Sequence, residues 1–524
     1  MTRSLLAGTG RALAAPATVW LLLLAYIALV FAVRVLLLPA ASQDDAEQLV
    51  FAQTLAGGYN PSQPPLYTWL VRLSEGIFGP TILAVAAVKF ACLGLIYVFL
   101  YLTAREVFGN RPGDRLDAAL AGLSPLALYY VAFDALFNYS NTMVMAAACA
   151  GTLYALVRVE KSGSTLAYGG LGLAVGLGLM SKYGYGVFIA ALIVACLAEP
   201  AFRARLLSVR LLLSLAVAVL VCLPHLIWLV GGGVDLAGAL EARLSGVDEG
   251  GYLVRVGTGL VKLGNAVISF LFPLFIVWLV LFPRAWRRLP DVPPGSAKYK
   301  RLFEVFFIAA VALIAAGIVI FGITRVRNHY MFILLAAPIY FFIRVRAAGV
   351  GDLPRQIFAV FLGVATVAFV TIVFARFLSG PQLSKKPYFN VPYAALAQQI
   401  RAGGFTRGTI VAGFRRYQIG GNFRVHFPGS RVLSTKYPYY VPPTPASSSR
   451  VSPGKPAGQC LLVWDASYGA AVPPSLRDYA RKTLGVEPGT WDRPRIVEAP
   501  FLRSKTRRFK LGTLLVTGKT GRCR

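Results

Sequence analysis

Residues 17–48 read ATVWLLLLAYIALVFAVRVLLLPAASQDDAEQ, an apolar run that ends at a group of three acids. The run from Ala17 to Ala40 is longer than the apolar core of about 7–15 residues in a signal peptide, so it predicts a retained membrane-spanning helix. The rest of the chain has the same character, because 56% of its 524 residues are hydrophobic and only 14% are charged. Such a composition excludes a soluble globular protein and predicts an all-α polytopic membrane protein.

Ten further apolar runs follow the first, which gives about eleven predicted spans within a membrane domain of residues 1–379. Loops rich in Lys and Arg alternate with loops poor in both, and the positive-inside rule assigns the rich loops and the N-terminus to the cytoplasm. The first outer loop (residues 41–80) and the tail (residues 380–524) are then extracytoplasmic. The ten runs lie near residues 81–104, 116–132, 142–157, 165–180, 183–198, 211–230, 258–283, 302–323, 330–343 and 356–378.

The tail is a different kind of sequence, in which short β-like runs alternate with helical patterns. This alternation predicts a small C-terminal soluble α/β domain. The tail holds 24 Lys and Arg against 5 Asp and Glu, which is typical either of a solvated basic surface or of a platform for anionic lipid or polysaccharide. The predicted strands are Gly408–Phe414, Phe423–Phe427, Cys460–Trp464 and Leu511–Thr517, the predicted helices are Tyr393–Arg401 and Ser475–Leu484, and the predicted long loop is Tyr437–Pro456.

The formal net charge of +31 points to an anionic partner, and in a membrane protein the first candidates are lipid head groups. The sequence has no zinc-finger spacing, RNP-like aromatic pattern or Walker loop, so no nucleic-acid partner is expected. Cys460 and Cys523 lie in the polar tail. They are expected to pair if the tail faces an oxidising compartment, and to remain two thiols otherwise.

The first outer loop begins with three carboxylates within four residues, Asp44, Asp45 and Glu47. A single Asp here would be read as the N-cap of the helix that follows. Three acids this close together instead favour either a divalent metal site (Mg, Mn or Zn) with Asp45 and Glu47 as ligands, or a general base. Later in the loop, Gln63 precedes a stiff Pro-Pro turn and Tyr67, and Leu66–Phe78 is predicted to be a helix along the membrane surface.

Asp134 is a second candidate, because it lies alone in the uncharged stretch between the third and fourth predicted spans. A carboxylate at the membrane boundary indicates function by default, and the alternative is a helix-end cap. Cations on the same outer side run against the positive-inside trend and favour a bound phosphate, with snorkelling anchors as the alternative. The residues of these two cationic segments that we single out are Lys182, Tyr183, Arg325, Arg327, His329 and Tyr330.

In their order and common sidedness, these motifs resemble the GT-C-fold polyprenyl-phosphate-sugar transferases of glycosyltransferase families 39 and 83. Those families include protein O-mannosyltransferases and the aminoarabinose transferase of lipid A. The resemblance covers about residues 15–345 and implies that Asp44 is the catalytic acid, with Asp45 beside it and Asp134 as the second-loop acid. It also implies that Lys182 and the segment from Arg325 to His329 lie near the lipid phosphate.

This chain differs from the aminoarabinose transferases in one motif. The aminoarabinose transferases place Glu-Lys before the Pro-Pro pair, whereas this chain has Ser62-Gln63. The change argues against a metal ligand at that position and against aminoarabinose as the sugar. Bacterial relatives with Gln-Pro-Pro-Leu are similar to galacturonic acid transferases that act on lipopolysaccharide.

The resemblance implies inverting transfer of a sugar, such as galacturonic acid or a pentose, from a polyprenyl-phosphate donor. The expected acceptor is lipopolysaccharide, lipid A or another cell-envelope glycan, on the periplasmic side of a bacterial inner membrane. One alternative is a protein O-glycosyltransferase. The other is a transporter of a lipid-linked substrate, which the acids in outer loops and the lack of an internal repeat disfavour.

Overall fold

The computed structural model describes residues 3–231, 235, 238, 250–287, 292, 294–378, 387–413, 418–443, 459–485, 493–517 and 523. The chain divides into two units that interleave along the sequence. The first unit comprises Met1–Val30, Pro61–Leu66 and Phe90–Thr371, and the second comprises Phe31–Asn60, Tyr67–Lys89 and Ile372–Arg524. Most of the first outer loop therefore belongs to the same unit as the tail.

Seven helices among the described residues are long and apolar enough to cross a membrane, or up to ten spans if each of three bent helix pairs counts as one. The helical membrane class is confirmed, but the predicted number of about eleven spans is not. Some predicted spans are short or bent, because the chain breaks them with turns of a few residues. The seven helices are Pro16–Leu37, Ile82–Phe108, Asn141–Ser162, Leu211–Gly231, Tyr252–Leu271, Pro294–Phe321 and Asp352–Leu378.

Shorter helices connect these spans. A π-helical turn, Tyr130–Asp134, and 3-10 turns interrupt the regular helices at several points. The shorter α-helices are Arg3–Ala14, Gln43–Phe51, Leu66–Phe78, Pro112–Leu123, Ala135–Phe137, Thr165–Leu179, Tyr185–Ala198, Pro200–Leu206, Leu274–Leu281 and Ala337–Ala347, and the 3-10 turns are Ser124–Ala127, Pro283–Trp286 and Asn328–Leu334.

Small residues allow close helix packing in the first unit. A Cβ added at Gly172 would come within 2.4 Å of the Ser214 carbonyl oxygen, so the helices that carry these two residues are in direct backbone contact. The Ser214 hydroxyl also donates a hydrogen bond to the Tyr168 carbonyl at 2.6 Å. In a membrane, lipid tails are as apolar as the helices, so no hydrophobic force drives the helices together. Small residues and hydroxyl side chains commonly hold membrane helices in contact instead.

The second unit is built on a five-stranded mixed sheet. Its strands are β1 (Gly408–Gly413), β2 (Arg431–Ser434), β3 (Gln459–Asp465), β4 (Arg495–Pro500) and β5 (Arg508–Thr517), and their order in the sheet is β2-β1-β3-β5-β4. Strand β1 is parallel to both β2 and β3, whereas β5 is antiparallel to both β3 and β4. The small C-terminal α/β domain is thus confirmed. The tail helices are Tyr393–Ala402, Gln418–His426 and Pro474–Leu484, with 3-10 turns at Pro387–Asn390 and Ala466–Tyr468.

The predicted strand Phe423–Phe427 is wrong, and the strands β2 and β4 were not predicted. The run Phe423–Phe427 lies mostly in the helix Gln418–His426, which links the parallel strands β1 and β2. Ile419, Phe423 and Phe427 are all buried, and their spacing of four residues is helical. The predicted loop Tyr437–Pro456 lies outside the described residues from position 444 onward.

Alternating side chains give the sheet two apolar faces. On β3, Leu461 and Val463 join one cluster, whereas Cys460, Leu462 and Trp464 join the other. The second cluster includes helix Pro474–Leu484 and the disulfide between Cys460 and Cys523. The first cluster includes Val50, Phe51 and Tyr59 of the first outer loop, packed with residues of the tail helices. One face of the tail sheet therefore buries part of the first outer loop.

Replacement of Gly421 by alanine is expected to destabilise the second unit by about 1–3 kcal/mol, because overpacking strains a close-packed contact. A Cβ at Gly421 would come within 2.2 Å of the Ala46 carbonyl oxygen, where backbone meets backbone. Gly76→Ala is the control, since its added Cβ meets no heavy atom within 4 Å and alanine favours helix by about 1 kcal/mol. The thermal unfolding midpoint of the purified protein measures both, and equal midpoints for the two variants would contradict the prediction.

Candidate active site

The acidic helix, Gln43–Phe51, carries the three carboxylates of the first outer loop. Ser42 is its N-cap, because the Ser42 hydroxyl accepts a hydrogen bond from the Asp45 backbone N–H at 3.2 Å. Asp44 and Asp45 occupy the first turn, where the helix dipole stabilises negative charge. The alternative that either acid is the N-cap is therefore wrong.

The three acids differ in exposure, because they lie on different faces of the acidic helix. Asp45 is buried with only 1% of its surface exposed, and Gln48 and Leu49 on the same side are buried as well. Asp44 and Glu47 are half-buried and lie three residues apart, so they share the more accessible face. The face with Asp44 and Glu47 is the part of this helix that a substrate can reach.

Asp45 is held by two cations from outside the acidic helix. Its Oδ2 lies 3.1 Å from Nη2 of Arg34, and its Oδ1 lies 2.7 Å from Nζ of Lys89. Burial alone would raise the pKa of Asp45, but the charges of Lys89 and Arg34 outweigh this effect and hold the pKa below its ordinary value. The carboxylate therefore stays ionised.

Asp45, which was predicted to bind a metal or a substrate, is already paired with two cations. Both of its oxygens already face cations, and a metal ion in their place would meet the charges of Arg34 and Lys89. Glu47 accepts a long hydrogen bond of 3.5 Å from the Asn60 side chain. Within the part of the chain that the structure describes, no three His, Cys, Asp or Glu side chains are grouped as a metal site. The metal site predicted at Asp45 and Glu47 stays a prediction.

Gln63 and Tyr67 lie on either side of the Pro-Pro turn and belong to different units. In the first unit, the Asn141 amide donates a hydrogen bond to Gln63 Oε1, and the Leu66 N–H donates to the Met180 carbonyl at 3.1 Å. In the second unit, Tyr67 is fully buried near the start of the predicted helix Leu66–Phe78, whose bounds the structure confirms. Tyr67 is therefore enclosed within the second unit, and its contact with substrate stays a prediction.

Asp134 ends the π-helical turn Tyr130–Asp134 in the first unit, and irregular turns of this kind often occur at functional sites. Its carboxylate accepts hydrogen bonds from Asn138 Nδ2 at 2.7 Å and from the Tyr139 hydroxyl, and it makes no capping bond to the backbone. Tyr139 has a φ of 64°, which is unusual for a bulky residue. The loop after Asp134 is therefore folded around this carboxylate, and Asp134 occupies the N-cap position of the short helix Ala135–Phe137 without a side-chain capping bond.

Aromatic rings connect Asp134 with the cationic segments of the first unit. The Tyr139 ring lies 5.2 Å from His329, and His329 lies 4.7 Å from Tyr330 between ring centroids. The Tyr330 ring in turn has Lys182 Nζ at 5.1 Å from its centroid, within the range of a cation–π contact. Asp134, His329, Tyr330 and Lys182 thus form one connected group.

A cavity of about 350 Å³ lies in the first unit beside Lys182. Lys182 is buried and donates a hydrogen bond to the Thr142 hydroxyl at 2.9 Å. Arg325 also lines the cavity, whereas Arg327 does not line it and is exposed. The remaining wall is mainly apolar and includes Tyr183, Val187, Leu313, Ile314, Ile318, Tyr330 and Ile333.

Two residues that the sequence reasoning missed are Arg34 and Lys89. Arg34 is the single charge of its long apolar helix, and Lys89 is the only charge between Ile82 and Ala104 of another; such charges are a functional signal by default because they are costly in a membrane. Their partner Asp45 explains them. Asn138 and Tyr139, which bind Asp134, gave no comparable signal because both are uncharged residues of a loop.

Comparisons with known proteins agree with this architecture. The model of a family described as dolichyl-phosphate-mannose-protein mannosyltransferase matches residues 62–228. The lipopolysaccharide core galacturonosyltransferase RgtB of Rhizobium johnstonii is 30% identical over 478 residues, which cover 89% of this chain and 91% of RgtB. The lipopolysaccharide core galacturonosyltransferase RgtA of the same organism is 30% identical over 480 residues, which cover 90% of this chain and 91% of RgtA.

The fold also matches a solved structure, that of ArnT from Cupriavidus metallidurans bound to undecaprenyl phosphate. The TM-score is 0.60 at 14% identity, and the match covers 95% of this chain and 98% of ArnT. This likeness establishes the GT-C fold, and the likeness to RgtA and RgtB over nearly their full length establishes the family. The chain is a membrane glycosyltransferase of the GT-C fold and belongs to the family of the lipopolysaccharide core galacturonosyltransferases.

Proposed function

We propose that this enzyme transfers galacturonic acid from a polyprenyl-phosphate donor to the core of lipopolysaccharide, with inversion at the anomeric carbon. The observation that supports a polyprenyl-phosphate donor is the cavity with Lys182 and Arg325, because it offers cations for a phosphate and an apolar wall for a prenyl chain. ArnT, which has the same fold, is known bound to undecaprenyl phosphate. The sugar and the acceptor rest on the names of RgtA and RgtB.

Lys182 and Arg325 are proposed to bind the donor phosphate. Arginine forms paired hydrogen bonds with phosphate oxygens, and lysine adds a point charge. The Thr142 hydroxyl and the Tyr330 ring hold the Lys182 ammonium group in place before a donor arrives. The apolar residues Leu313, Ile314 and Ile318 give the prenyl chain a wall of matching polarity.

Asp44 is proposed to act as the general base, from its matching position in the family and its place on the accessible face of the acidic helix. The acceptor hydroxyl gives its proton to Asp44 as its oxygen forms a bond to the anomeric carbon. The bond from that carbon to the phosphate oxygen breaks, and the electron pair leaves with the polyprenyl phosphate. Lys182 and Arg325 stabilise the charge that develops on the phosphate.

The active side is proposed to be the periplasmic side of a bacterial inner membrane. The distribution of Lys and Arg among the loops supports this orientation. The disulfide between Cys460 and Cys523 supports it independently, because disulfides persist in oxidising compartments.

The test is sugar transfer by the purified enzyme in proteoliposomes. Labelled galacturonic acid, a pentose and mannose are offered on undecaprenyl phosphate, with lipopolysaccharide core and a Ser/Thr-rich peptide as acceptors. We expect galacturonic acid to enter the lipopolysaccharide, with release of an equal amount of undecaprenyl phosphate. Label in the peptide would replace this proposal with protein O-glycosylation, the alternative favoured by the description of the matching family model. Lack of transfer of galacturonic acid would reject the proposed sugar.

Arg325→Ala is expected to weaken binding of undecaprenyl phosphate by about 10- to 150-fold, because a charged hydrogen bond contributes about 1.5–3 kcal/mol. Arg327→Ala is the matched control, since Arg327 lies two residues later but does not line the cavity. Direct binding of labelled undecaprenyl phosphate to the purified variants measures the difference. Equal losses in both variants would show that the cations act through the general positive charge of this segment and not through the cavity.

A further inference from the structure

We infer that Arg424 of the tail is a positioning residue for the base, which it serves by fixing the acidic helix. This inference rests on the proposed function, in which Asp44 is the general base. Arg424 is buried, with 5% of its surface exposed, on the tail helix Gln418–His426. It contacts two segments of the first outer loop within the second unit.

The first contact is a paired ion pair with Glu75. Nη1 of Arg424 lies 2.7 Å from Oε1 of Glu75, and Nη2 lies 2.6 Å from Oε2. Glu75 is also buried and lies on the helix Leu66–Phe78. A planar guanidinium that meets a carboxylate through two parallel bonds fixes direction as well as distance. The contact therefore sets how the helix Leu66–Phe78 is oriented against the tail helix.

The second contact reaches the acidic helix directly. Nη1 of Arg424 also donates a hydrogen bond to the Leu49 carbonyl, in the last turn of that helix. The helix Leu66–Phe78 is joined to the acidic helix in turn, because the Thr68 hydroxyl donates to Gln48 Oε1 at 2.6 Å. One arginine of the tail thus joins three helices of the second unit.

Neighbouring residues of the tail hold both ends of the acidic helix. Asn422 Oδ1 accepts a hydrogen bond of 2.7 Å from the Ala41 N–H, just before the helix begins. After it ends, the Gln53 amide pairs with both backbone groups of Val432, at 2.8 Å and 2.9 Å, along the edge strand β2. The tail therefore fixes the helix that carries Asp44 before, along and after its length.

This arrangement matters for transfer because a general base must lie within hydrogen-bond reach of the proton that it accepts. A misplacement of about 1 Å can cost about 100-fold in rate. Loss of the directional bonds of Arg424 is therefore expected to lower kcat and to leave the donor KM unchanged. A residue that only stabilised the fold would change the amount of active enzyme and not its kcat.

The test compares Arg424→Met with Arg424→Lys, with the double variant Glu75→Met/Arg424→Met, and with Arg481→Met as a control on an exposed tail helix position. The double variant replaces a buried ion pair by an apolar pair, which usually preserves stability but has no directional bonds. We expect kcat to fall about 10- to 100-fold in Arg424→Met and in the double variant. Arg424→Lys should recover part of the loss, and Arg481→Met should match the wild type.

A second readout is hydrogen exchange of the amides in Gln43–Phe51, which reports on the acidic helix without any transfer assay. Faster exchange in Arg424→Met and in the double variant, with a normal unfolding midpoint in the double variant, is the expected result. Full recovery of kcat together with stability in the double variant would reduce Arg424 to a purely structural residue and overturn the inference. Unchanged exchange would also overturn it. If the wild type transferred no sugar, the proposed function would fail while exchange still tested the contact.

Discussion

Asp44→Asn is expected to lower kcat for sugar transfer by about 100- to 10,000-fold, the usual contribution of a general base. Asparagine keeps the size and shape of the side chain but does not accept the proton of the acceptor hydroxyl. Asp44 is half-buried on the accessible face of the acidic helix, so the substitution should not disturb the buried core of the second unit. The measurement is the initial rate at saturating donor and acceptor, together with binding of undecaprenyl phosphate, which should be unchanged.

Glu47→Gln is the matched control for Asp44→Asn, because Glu47 lies one turn later on the same face and already accepts a hydrogen bond from Asn60. We expect kcat to fall by less than about 10-fold in Glu47→Gln, since the glutamine amide oxygen can accept the same hydrogen bond from Asn60. A large loss at Glu47 with near-normal transfer in Asp44→Asn would exchange the roles of the two residues. Near-normal transfer in both variants would remove the acidic helix from the chemistry.

Asp45→Asn, one residue later, is expected to act on stability and to lower it by about 3–5 kcal/mol, the usual cost of breaking a buried ion pair. The substitution leaves Arg34 and Lys89 buried, each with a side-chain exposure of 3% or less, without the carboxylate that now lies between them. The thermal unfolding midpoint of the purified protein is the measurement. Combining Asp45→Asn with Lys89→Met should recover part of the loss, because it removes one uncompensated charge. An unchanged midpoint in the single variant would contradict the argument.

The pH dependence of this ion pair has a defined direction. The pKa of Asp45 is held below its ordinary value by Lys89 and Arg34, in spite of burial. A depressed pKa of an acid contributes stability that is fully present above the unfolded value of about 3.9 and is lost as the pH falls through the lower folded value. We therefore expect the difference in unfolding midpoint between wild type and Asp45→Asn to be constant from about pH 5 to pH 8 and to shrink only in more acidic solution.

The sequence predicted what depends on long or strongly periodic patterns. The apolar runs gave the membrane class, and the amphipathic run Leu66–Phe78 gave the bounds of its helix. The run Phe423–Phe427 was misassigned because a short apolar segment suits a strand and a buried helix equally well. Only the parallel pairing of β1 with β2, which requires a crossover between them, decides in favour of the helix.

The sequence predicted which types of residue form the candidate site, but not which of these residues contact each other. Asp44 and Asp45 are identical neighbours in the sequence, yet one is half-buried and the other is enclosed by two cations. That difference depends on Arg34 and Lys89, which lie in separate helices, and no local pattern connects them to the acidic helix. The difference between Arg325, which lines the cavity, and Arg327, which is exposed, also had no signal in the sequence, because residues two positions apart in an extended segment are expected on the same side.

The shared fold of the first outer loop and the tail also orders events during synthesis. Ala41 and Asn422, which are hydrogen-bonded in the finished protein, are 381 residues apart in the chain. At about 5–20 residues per second, the ribosome makes the second of them roughly 20 to 80 seconds after the first. The acidic helix therefore gains its contacts with the tail only after that time. A nascent chain would therefore contain every residue that lines the cavity beside Lys182, the last of which is Ile333, before its acidic helix could gain the contact with Asn422.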